Sequence, residues 1–259
     1  MRIPDEVVAA ASRAWVWVPP NATKVETDEY LLLRMPEWFG IGLELMRFDP
    51  QRAAGKVADE VLERAREFGL PEVNCWVKLH NDPSLDDVFR ERGGVLDETL
   101  AVLALDLTTG VPDIGPLVGL ETRWATDLDT MRDNLQVGAD VFGDSMPPEE
   151  ETVAEVERAR TDAESGTGSV VAYLDGVPVG CGGLSLVDGV ARLWGGAVRE
   201  EARGRGAYRA VLTARLQRGV ERGATMALVK GRIQTSGPIL RRAGFAVYGE
   251  ERSYLVPLA

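Results

Sequence analysis

The stretch that decides the fold of this chain reads Arg203-Gly204-Arg205-Gly206-Ala207-Tyr208. It lies between an extended run, Val190 to Val198, and a helix predicted to continue to Glu221. The first N–H groups of a helix have no partner within it, and the helix dipole places partial positive charge there. Glycines let the backbone approach a phosphate and arginines add charge, so the stretch is typical of an anion-binding turn. A plain strand-to-helix turn with solvated arginines is the alternative.

The sequence after this turn predicts a helix, a strand, a short helix and a final strand. The first helix has apolar side chains at helical spacing and ends at Gly223, a usual place for a left-handed residue. An apolar run follows from Met226 to Val229, and a short Pro-containing helix is predicted from Pro238 to Ala243. Gly244-Phe245 then precedes an alternating strand, Tyr254 to Leu258.

This order of elements resembles the GNAT superfamily of acetyl-CoA-dependent N-acyltransferases. The turn Arg203-Gly204-Arg205-Gly206 is similar to the family's pyrophosphate loop, and Ile239 to Phe245 is similar to its ending of helix, Gly-Phe and strand. The resemblance covers roughly Leu120 to Ala259. It implies an α/β (α+β) fold in which a mixed, mostly antiparallel sheet is flanked by helices.

The sequence departs from the family's pattern at three positions. Tyr208 stands where the family usually has a small Gly or Ala, Leu240 stands where a tyrosine often protonates the coenzyme A thiolate, and Ile233 stands where an asparagine is frequent. As the first aromatic residue of its helix, Tyr208 could either pack the core or line the cofactor groove. These departures concern the mechanism rather than the fold.

The resemblance implies that acetyl-CoA binds on this turn and along the end of the preceding strand, as a co-substrate and without a metal ion. The residues that it implies in coenzyme binding are Ala197, Val198, Arg203, Gly204, Arg205, Gly206, Ala207, Tyr208, Ser236 and Ile239.

The attacking amine needs a general base, and the leaving thiolate needs a proton. The family often uses a carboxylate on the strand for the first task, but residues 190–198 offer none. Asp140 and Asp144 are therefore the candidate bases, and the alternative is that they are turn and capping carboxylates. Because Leu240 cannot donate a proton, Ser236 or Thr235 at the start of the short helix is the candidate proton donor, and the alternative is that Ser236 caps this helix.

The first part of the chain repeats this pattern. Residues 89–95 parallel residues 239–245, which lie 150 positions later. We read two copies of one βαβ-containing unit, a degenerate GNAT-like domain at 1–109 and a GNAT-type acetyltransferase domain at 118–259. The first copy has Pro50-Gln51-Arg52-Ala53-Ala54-Gly55 at the start of its helix, without a closely spaced glycine pair. We therefore expect no coenzyme A in the first copy.

Composition narrows the classes of function. The formal net charge of −12 argues against nucleic acid or an anionic membrane as a partner and fits a cationic substrate loosely. Cys75 and Cys181 lie far apart in apolar runs, which predicts buried thiols rather than a disulfide or a nucleophile. With His80 as its single histidine, the chain has little material for a zinc site or a Ser-His-Asp triad, and His80 is expected to be a structural or a surface histidine.

We expect an N-acyltransferase that moves an acetyl group from acetyl-CoA to a primary amine of a small molecule or peptide by direct attack. The alternative is a catalytically inactive GNAT-fold protein that binds acyl-CoA or has a regulatory role. The chain shows no apolar signal segment and no run near the roughly 20 apolar residues of a membrane span, so a cytoplasmic protein is expected. The acceptor, the acyl chain and the oligomeric state stay open, a homodimer included.

Overall fold

The computed structural model describes residues 2–115 and 117–258. Within them no helix is long and apolar enough to cross a membrane. The helices are α1 (Asp5–Arg13), α2 (Ala54–Arg66), α3 (Leu85–Arg90), α4 (Leu128–Phe142), α5 (Glu149–Ala163), α6 (Ala207–Glu221) and α7 (Ser236–Arg242), with a 3-10 turn at Glu200–Ala202. The strands are β1 (Thr23–Glu26), β2 (Tyr30–Arg34), β3 (Leu43–Phe48), β4 (Glu72–Val77), β5 (Val95–Asp106), β6 (Leu120–Trp124), β7 (Gly168–Leu174), β8 (Val177–Val187), β9 (Val190–Val198), β10 (Met226–Arg232) and β11 (Ala246–Pro257).

The chain folds into two compact units. The first unit consists mainly of residues 4–102 and 247–258, together with 231–237. The second unit consists mainly of residues 103–230 and 238–246. Nearly all of β11 therefore packs with the first unit, whereas α6 and the turn before it lie in the second.

The first unit is built on strands in the order β1-β2-β3-β4-β11. Strands β3 and β4 run parallel, and the other neighbours pair antiparallel. Helix α2 connects the two parallel strands and buries Val57, Val61 and Ala65, which helical spacing places on one face. These side chains share a core with the rings of Phe48 and Phe89. The first half of the chain thus has its own apolar core.

The second unit is built on strands in the order β10-β9-β8-β7-β6. Strands β9 and β10 run parallel, and the other neighbours pair antiparallel. Successive residues of a strand point to opposite faces of the sheet. Gly182 of β8 accordingly faces Val211 of α6, whereas the adjacent Cys181 packs against Val137 of α4. The unit is therefore a sheet with α6 on one face and α4, backed by α5, on the other.

Both units contain the same order of a strand, a helix and a parallel strand, which is β3-α2-β4 in one and β9-α6-β10 in the other. A short helix follows in each case, and a glycine with positive φ follows that helix, Gly93 at 79° and Gly244 at 94°. This agrees with the repeat read from the sequence. The domain limits 1–109 and 118–259 stay a prediction.

The structure differs from the predicted elements mainly where polar side chains form strands. Strand β11 begins at Ala246, eight residues before the alternation at Tyr254, because its first half carries buried or paired polar groups. Glu251 is buried and accepts a hydrogen bond from Ser12 Oγ at 3.0 Å. The short strand β1 was not predicted because its side chains are almost all exposed, which leaves no apolar period.

Candidate active site

The turn before α6 has the backbone of an open anion site. Gly204 has φ of 79° and Gly206, the residue at the N-cap, has φ of 92°, a left-handed region in which other residues are strained. No side chain caps this end of α6. The first-turn N–H groups, which no carbonyl within a helix can reach, are therefore available to a ligand.

Charge and packing complete this turn. Arg203 and Arg205 are exposed, and within the described ranges neither forms an ion pair. Ala207 is buried against Ala202 and Val179, so the start of α6 is held on the sheet while the two arginines extend from it. The combination of fixed N–H groups and uncommitted positive charge suits a phosphate or pyrophosphate.

Strand β9 leaves its parallel neighbour before it ends. Its pairing with β10 stops at Leu193, opposite Val229, although β9 continues to Val198. A bulge follows, because the register against β8 shifts beyond Trp194, and Gly195 has φ of 58°. Gly195 and Gly196 are exposed at this point. The bulge thus presents backbone groups that the sheet does not use.

Two polar side chains of α6 lie beneath this bulge. Arg215 is only 1% exposed, and its Nη1 donates hydrogen bonds of 3.2 Å to the carbonyl oxygens of Gly183 and Trp194. Tyr208 is half-buried, and its ring edge lies 3.2 Å from the position that a Cβ atom on Gly196 would occupy. Burial lowers the pKa of the Arg215 guanidinium and raises the pKa of the Tyr208 hydroxyl.

The end of β9 carries the two strand residues that the sequence implied in coenzyme binding. Ala197 is buried with Val137 and Cys181, and Val198 is half-buried beside Ala207. Both therefore lie in the second unit with the turn, and their backbone continues the line from the bulge to the start of α6.

Asp140 is engaged in a local network. Its Oδ2 lies 2.7 Å from Arg199 Nη2 and its Oδ1 accepts a hydrogen bond of 2.8 Å from Gln136. Arg199 in turn donates to the carbonyl oxygen of Pro178 at 3.0 Å. The network ties the last turns of α4 to the ends of β8 and β9.

A cavity of about 740 Å³ lies beside this network and brings Asp140 together with Arg203 of the turn. Asp144 is half-buried just after Gly143, the left-handed residue that ends α4, and it does not line the cavity. The other side chains that line it are Gln136, Val141, Arg199, Glu200 and Glu201.

Ser236 is the first residue of α7 and groups with the first unit, whereas Ile239 and Leu240 group with the second. Leu240 is fully buried, so the position of the family's tyrosine is part of the apolar core. The charged residue of β9, Arg192, is buried as well, and burial lowers its pKa. Neither Leu240 nor the charge on β9 supplies an acid or a base.

The first unit has filled the site that corresponds to the turn. Glu29 Oε1 accepts hydrogen bonds from the backbone N–H groups of Gln51 at 2.7 Å and of Arg52 at 2.9 Å, just before α2. The Arg52 side chain also donates to Glu29 Oε2 at 2.6 Å. These bonds, that of the Arg52 side chain first, lower the pKa of Glu29 to about 2. A carboxylate of the chain itself thus stands where a ligand phosphate would have to bind.

The remaining reactive groups are structural. Cys75 and Cys181 are both buried free thiols, and burial raises the pKa of Cys181 to about 12. His80 Nε2 lies 2.9 Å from Asp49 Oδ1 in the first unit, and Asp49 also accepts from Asn81 at 3.2 Å. This agrees with the buried thiols that the sequence predicts and, of its two interpretations of His80, with the structural one.

Sequence reasoning missed several residues of this region. Arg215 lies on the apolar face of its helix, seven residues after Tyr208 and four after Val211, but an arginine in a helix is usually solvated and nothing local marks this one as buried. Arg199 gave no local signal because its partner Asp140 is distant in the chain, whereas Gln136 lies four residues before Asp140 on the same helix.

Comparison with known proteins relates the second half of the chain to a family. Residues 136–234 match the sequence profile described as the Acetyltransferase (GNAT) family. The matched segment contains the second half of α4, the bulge of β9, the glycine turn and α6. No curated protein matches the chain.

Solved structures share the fold over nearly the whole chain. A GCN5-related N-acetyltransferase from Kribbella flavida is similar with a TM-score of 0.68 and 17% identity, over 99% of this chain and 96% of that one. One from Sphaerobacter thermophilus has a TM-score of 0.68 and 18% identity, over 88% and 76%. A tandem GNAT protein from the clavulanic acid biosynthesis pathway has a TM-score of 0.63 and 14% identity, over 98% and 87%. The predicted fold class is confirmed.

Proposed function

We propose that the chain transfers an acetyl group from acetyl-CoA to a primary amine of a small molecule or peptide, and the premise is that residues 136–234 match the sequence profile of the Acetyltransferase (GNAT) family. The observation that carries the proposal is the uncapped start of α6, with left-handed Gly204 and Gly206 and the unpaired charges of Arg203 and Arg205. The left-handed backbone alone would explain the two glycines in a plain connecting turn, but it would not explain two exposed arginines that form no ion pair among the described residues, beside an uncapped helix start.

The residues of the turn fit coenzyme A. The N–H groups from Gly206 to Tyr208 would hold the pyrophosphate, with the side chains of Arg203 and Arg205 beside it, and Ala197 and Val198 would flank the pantetheine arm. The N–H of Arg205 donates to the carbonyl oxygen of Ala202 at 3.3 Å. When bound, acetyl-CoA supplies an acetyl thioester that an amine can attack directly. Backbone N–H groups at the bulge of β9 would steady the oxygen that gains charge. Ile239 and Ser236 on α7 stay candidate contacts.

Asp140 and Asp144 are the two candidates for the general base. Both oxygens of Asp140 accept hydrogen bonds, from Arg199 and Gln136, so we assign Asp140 to holding α4 against β9. Asp144, which follows the end of α4, stays a candidate base on its position alone. The surplus of acidic residues, with a net charge of −12, favours an acceptor that carries positive charge.

A binding protein that holds acyl-CoA without turning it over is the second candidate. Two observations favour it: Leu240 is buried in the place of a proton-donating tyrosine, and β9 carries no carboxylate. The two candidates share the coenzyme site and differ only in chemistry.

The coenzyme site is tested by calorimetric and thermal-shift titration with acetyl-CoA of the wild type, Gly206→Glu and Gly223→Glu. The two glycines lie at opposite ends of α6 and both have positive φ, 92° and 85°. Each variant therefore adds the same charge at a position of positive φ, but only Gly206→Glu places the charge at the proposed phosphate site. Gly206 is the more crowded position, since its Cβ atom would lie 3.2 Å from Arg209 Nη2 and nothing lies within 4 Å at Gly223, so folding of both variants is checked first. A ligand at 100 times its Kd stabilises the folded state by about 2.7 kcal/mol.

We expect the wild type and Gly223→Glu to bind acetyl-CoA and Gly206→Glu to lose at least tenfold in affinity. Equal affinity of Gly206→Glu and Gly223→Glu for acetyl-CoA would mean that the coenzyme does not bind at this turn. Absence of binding to the folded wild type would refute the proposed function and its alternative together.

A further inference from the structure

Arg215 is a buried positive charge, and among the described residues no carboxylate forms an ion pair with it. Its described hydrogen bonds go to three carbonyl oxygens, those of Val211, Gly183 and Trp194, each at 3.2 Å. The groups that act on its ionisation are neutral at pH 7: the phenol of Tyr208 and the thiol of Cys181. A buried charge is costly unless it is paired, so an arginine kept here suggests that negative charge forms nearby during function.

Two glycines, which have no side chain, leave room for Arg215 and Tyr208. A Cβ atom on Gly182 would lie 3.0 Å from Arg215 Cζ, and one on Gly196 would lie 3.2 Å from the ring of Tyr208. The glycines of β8 and β9 and the two large side chains of α6 thus fit together. The ring of Tyr208 occupies the space that a side chain on Gly196 would need.

The polar ends of the two side chains converge at the bulge. Arg215 Nη2 lies 3.6 Å and Tyr208 Oη lies 3.7 Å from the same point, the position of a Cβ atom on Gly196. Gly196 itself is exposed and stands beyond the last residue pair of β9 with β10. A hydroxyl proton and a positive charge therefore lie directly under the backbone that the proposed function assigns to the thioester.

We propose that Tyr208 is the proton donor to the departing thiolate. Arg215 is a positioning residue, and its positive charge stabilises the phenolate that the proton transfer leaves on Tyr208. This inference rests on the proposed function, and it replaces Ser236 in the role of the acid. Tyr208, which stands where the resembled family usually has a small Gly or Ala, would then be the acid that the buried Leu240 cannot supply.

The proposed step balances as follows. As the carbon–sulfur bond breaks, its electron pair stays on sulfur, and the Oη–H bond of Tyr208 breaks so that the proton moves to that sulfur. The phenolate left on Tyr208 lies beside the Arg215 guanidinium, which stabilises it. The proton that the attacking amine loses passes to the general base and restores the phenol through solvent.

The test measures the ionisation of the bound coenzyme thiol and needs no acceptor amine. Coenzyme A is bound to the wild type, to Tyr208→Phe and to Tyr173→Phe, and the ultraviolet absorbance of the thiolate is followed as pH rises, with desulfo-coenzyme A as the blank. Tyr173→Phe is a matched control, because Tyr173 is a buried tyrosine of β7 whose hydroxyl donates to Asp133 at 2.6 Å.

We expect the bound thiol to titrate about one pH unit higher in Tyr208→Phe than in the wild type, because a donor to the charged form is lost. In the control Tyr173→Phe, the bound thiol should titrate at the same pH as in the wild type. The Kd for coenzyme A should agree within about threefold among all three proteins. Once an acceptor is known, kcat of Tyr208→Phe should fall about 100-fold with KM unchanged.

Three results would overturn the inference. If Tyr208→Phe binds coenzyme A and its thiol titrates as in the wild type, Tyr208 is not the donor and the proposed function stands. If folded Tyr208→Phe no longer binds coenzyme A, the hydroxyl serves binding rather than proton transfer. If the folded wild type itself does not bind, the proposed function fails and this inference fails with it.

Discussion

Adding one methyl group at three glycines of the second unit should change stability in an order that the structure sets. Gly182→Ala is the most damaging of the three. Its Cβ atom would lie 2.9 Å from Val211 Cγ1 and 3.0 Å from both Cζ and Nη1 of Arg215. The guanidinium cannot swing aside, because Nη1 is held by the carbonyl oxygens of Gly183 and Trp194.

The expected magnitudes follow from these distances. Overpacking a filled interior costs about 1 to 3 kcal/mol, and Gly182→Ala should lie in the upper half of that range. Gly196→Ala should cost less, about 1 kcal/mol, because its nearest contact is the ring edge of Tyr208 at 3.2 Å. Gly138 lies inside α4 with no atom within 4 Å of its Cβ position, so Gly138→Ala should stabilise by about 0.5 to 1 kcal/mol.

Urea unfolding of the wild type and the three variants, followed by tryptophan fluorescence, measures these free energies. The slope with urea should stay constant across the series, since the surface exposed on unfolding is the same. If Gly182→Ala were as stable as Gly138→Ala, the close fit of Arg215 beneath the bulge would be wrong, and the argument for Tyr208 would lose its geometric basis.

Three further outcomes follow from the structure. Asp140→Asn should lower the free energy of unfolding by no more than about 1 kcal/mol, because the half-exposed ion pair of Asp140 with Arg199 is structural. The pH profile of turnover should not change, and a tenfold loss of kcat would instead indicate that Asp140 is the general base. The hydrogen bonds of Glu29 lower its pKa to about 2, so the ionised carboxylate stabilises the folded state above its unfolded pKa of about 4.3, and this stabilisation is lost as pH falls towards 2. Glu29→Gln should therefore be less stable than the wild type at pH 6 and differ little from it near pH 2. A thiol reagent should label neither Cys75 nor Cys181 in the native protein and both in urea, since burial keeps them protonated; rapid native labelling would contradict that burial.

The parts of the fold that the sequence predicts well depend on local signals. The turn at residues 203–208 is visible because glycines are needed where φ is positive, and the structure places two of them there. Helix α6 and the strands before it are visible because their apolar residues keep a regular period. The internal repeat is visible because a short helix followed by glycine recurs. The sequence aligns Gly94 with Gly244, and in the structure the adjacent Gly93 is the residue with the matching positive φ.

What the sequence could not show are pairings between distant residues. Glu29 fills the anion position before α2 from 22 residues away, and nothing near Glu29 marks it for that role. The pair of Asp140 with Arg199 joins a helix to a strand end, so the carboxylate reads as uncommitted in the sequence. The buried Arg215 needs the glycines of β8 and β9 opposite it, and helical spacing alone cannot supply that information.

The measurement that tests the central claim most directly is the amine-dependent release of coenzyme A thiol from acetyl-CoA. The wild type, Gly206→Glu and Gly223→Glu are each incubated with a small diamine, an amino sugar, an amino acid and a peptide with a free N-terminus. The claim predicts that at least one amine gives thiol release matched by acetylated product, in the wild type and Gly223→Glu but not in Gly206→Glu. Tight binding of acetyl-CoA by the wild type with no amine-dependent release across the panel would contradict it and leave a binding protein in its place.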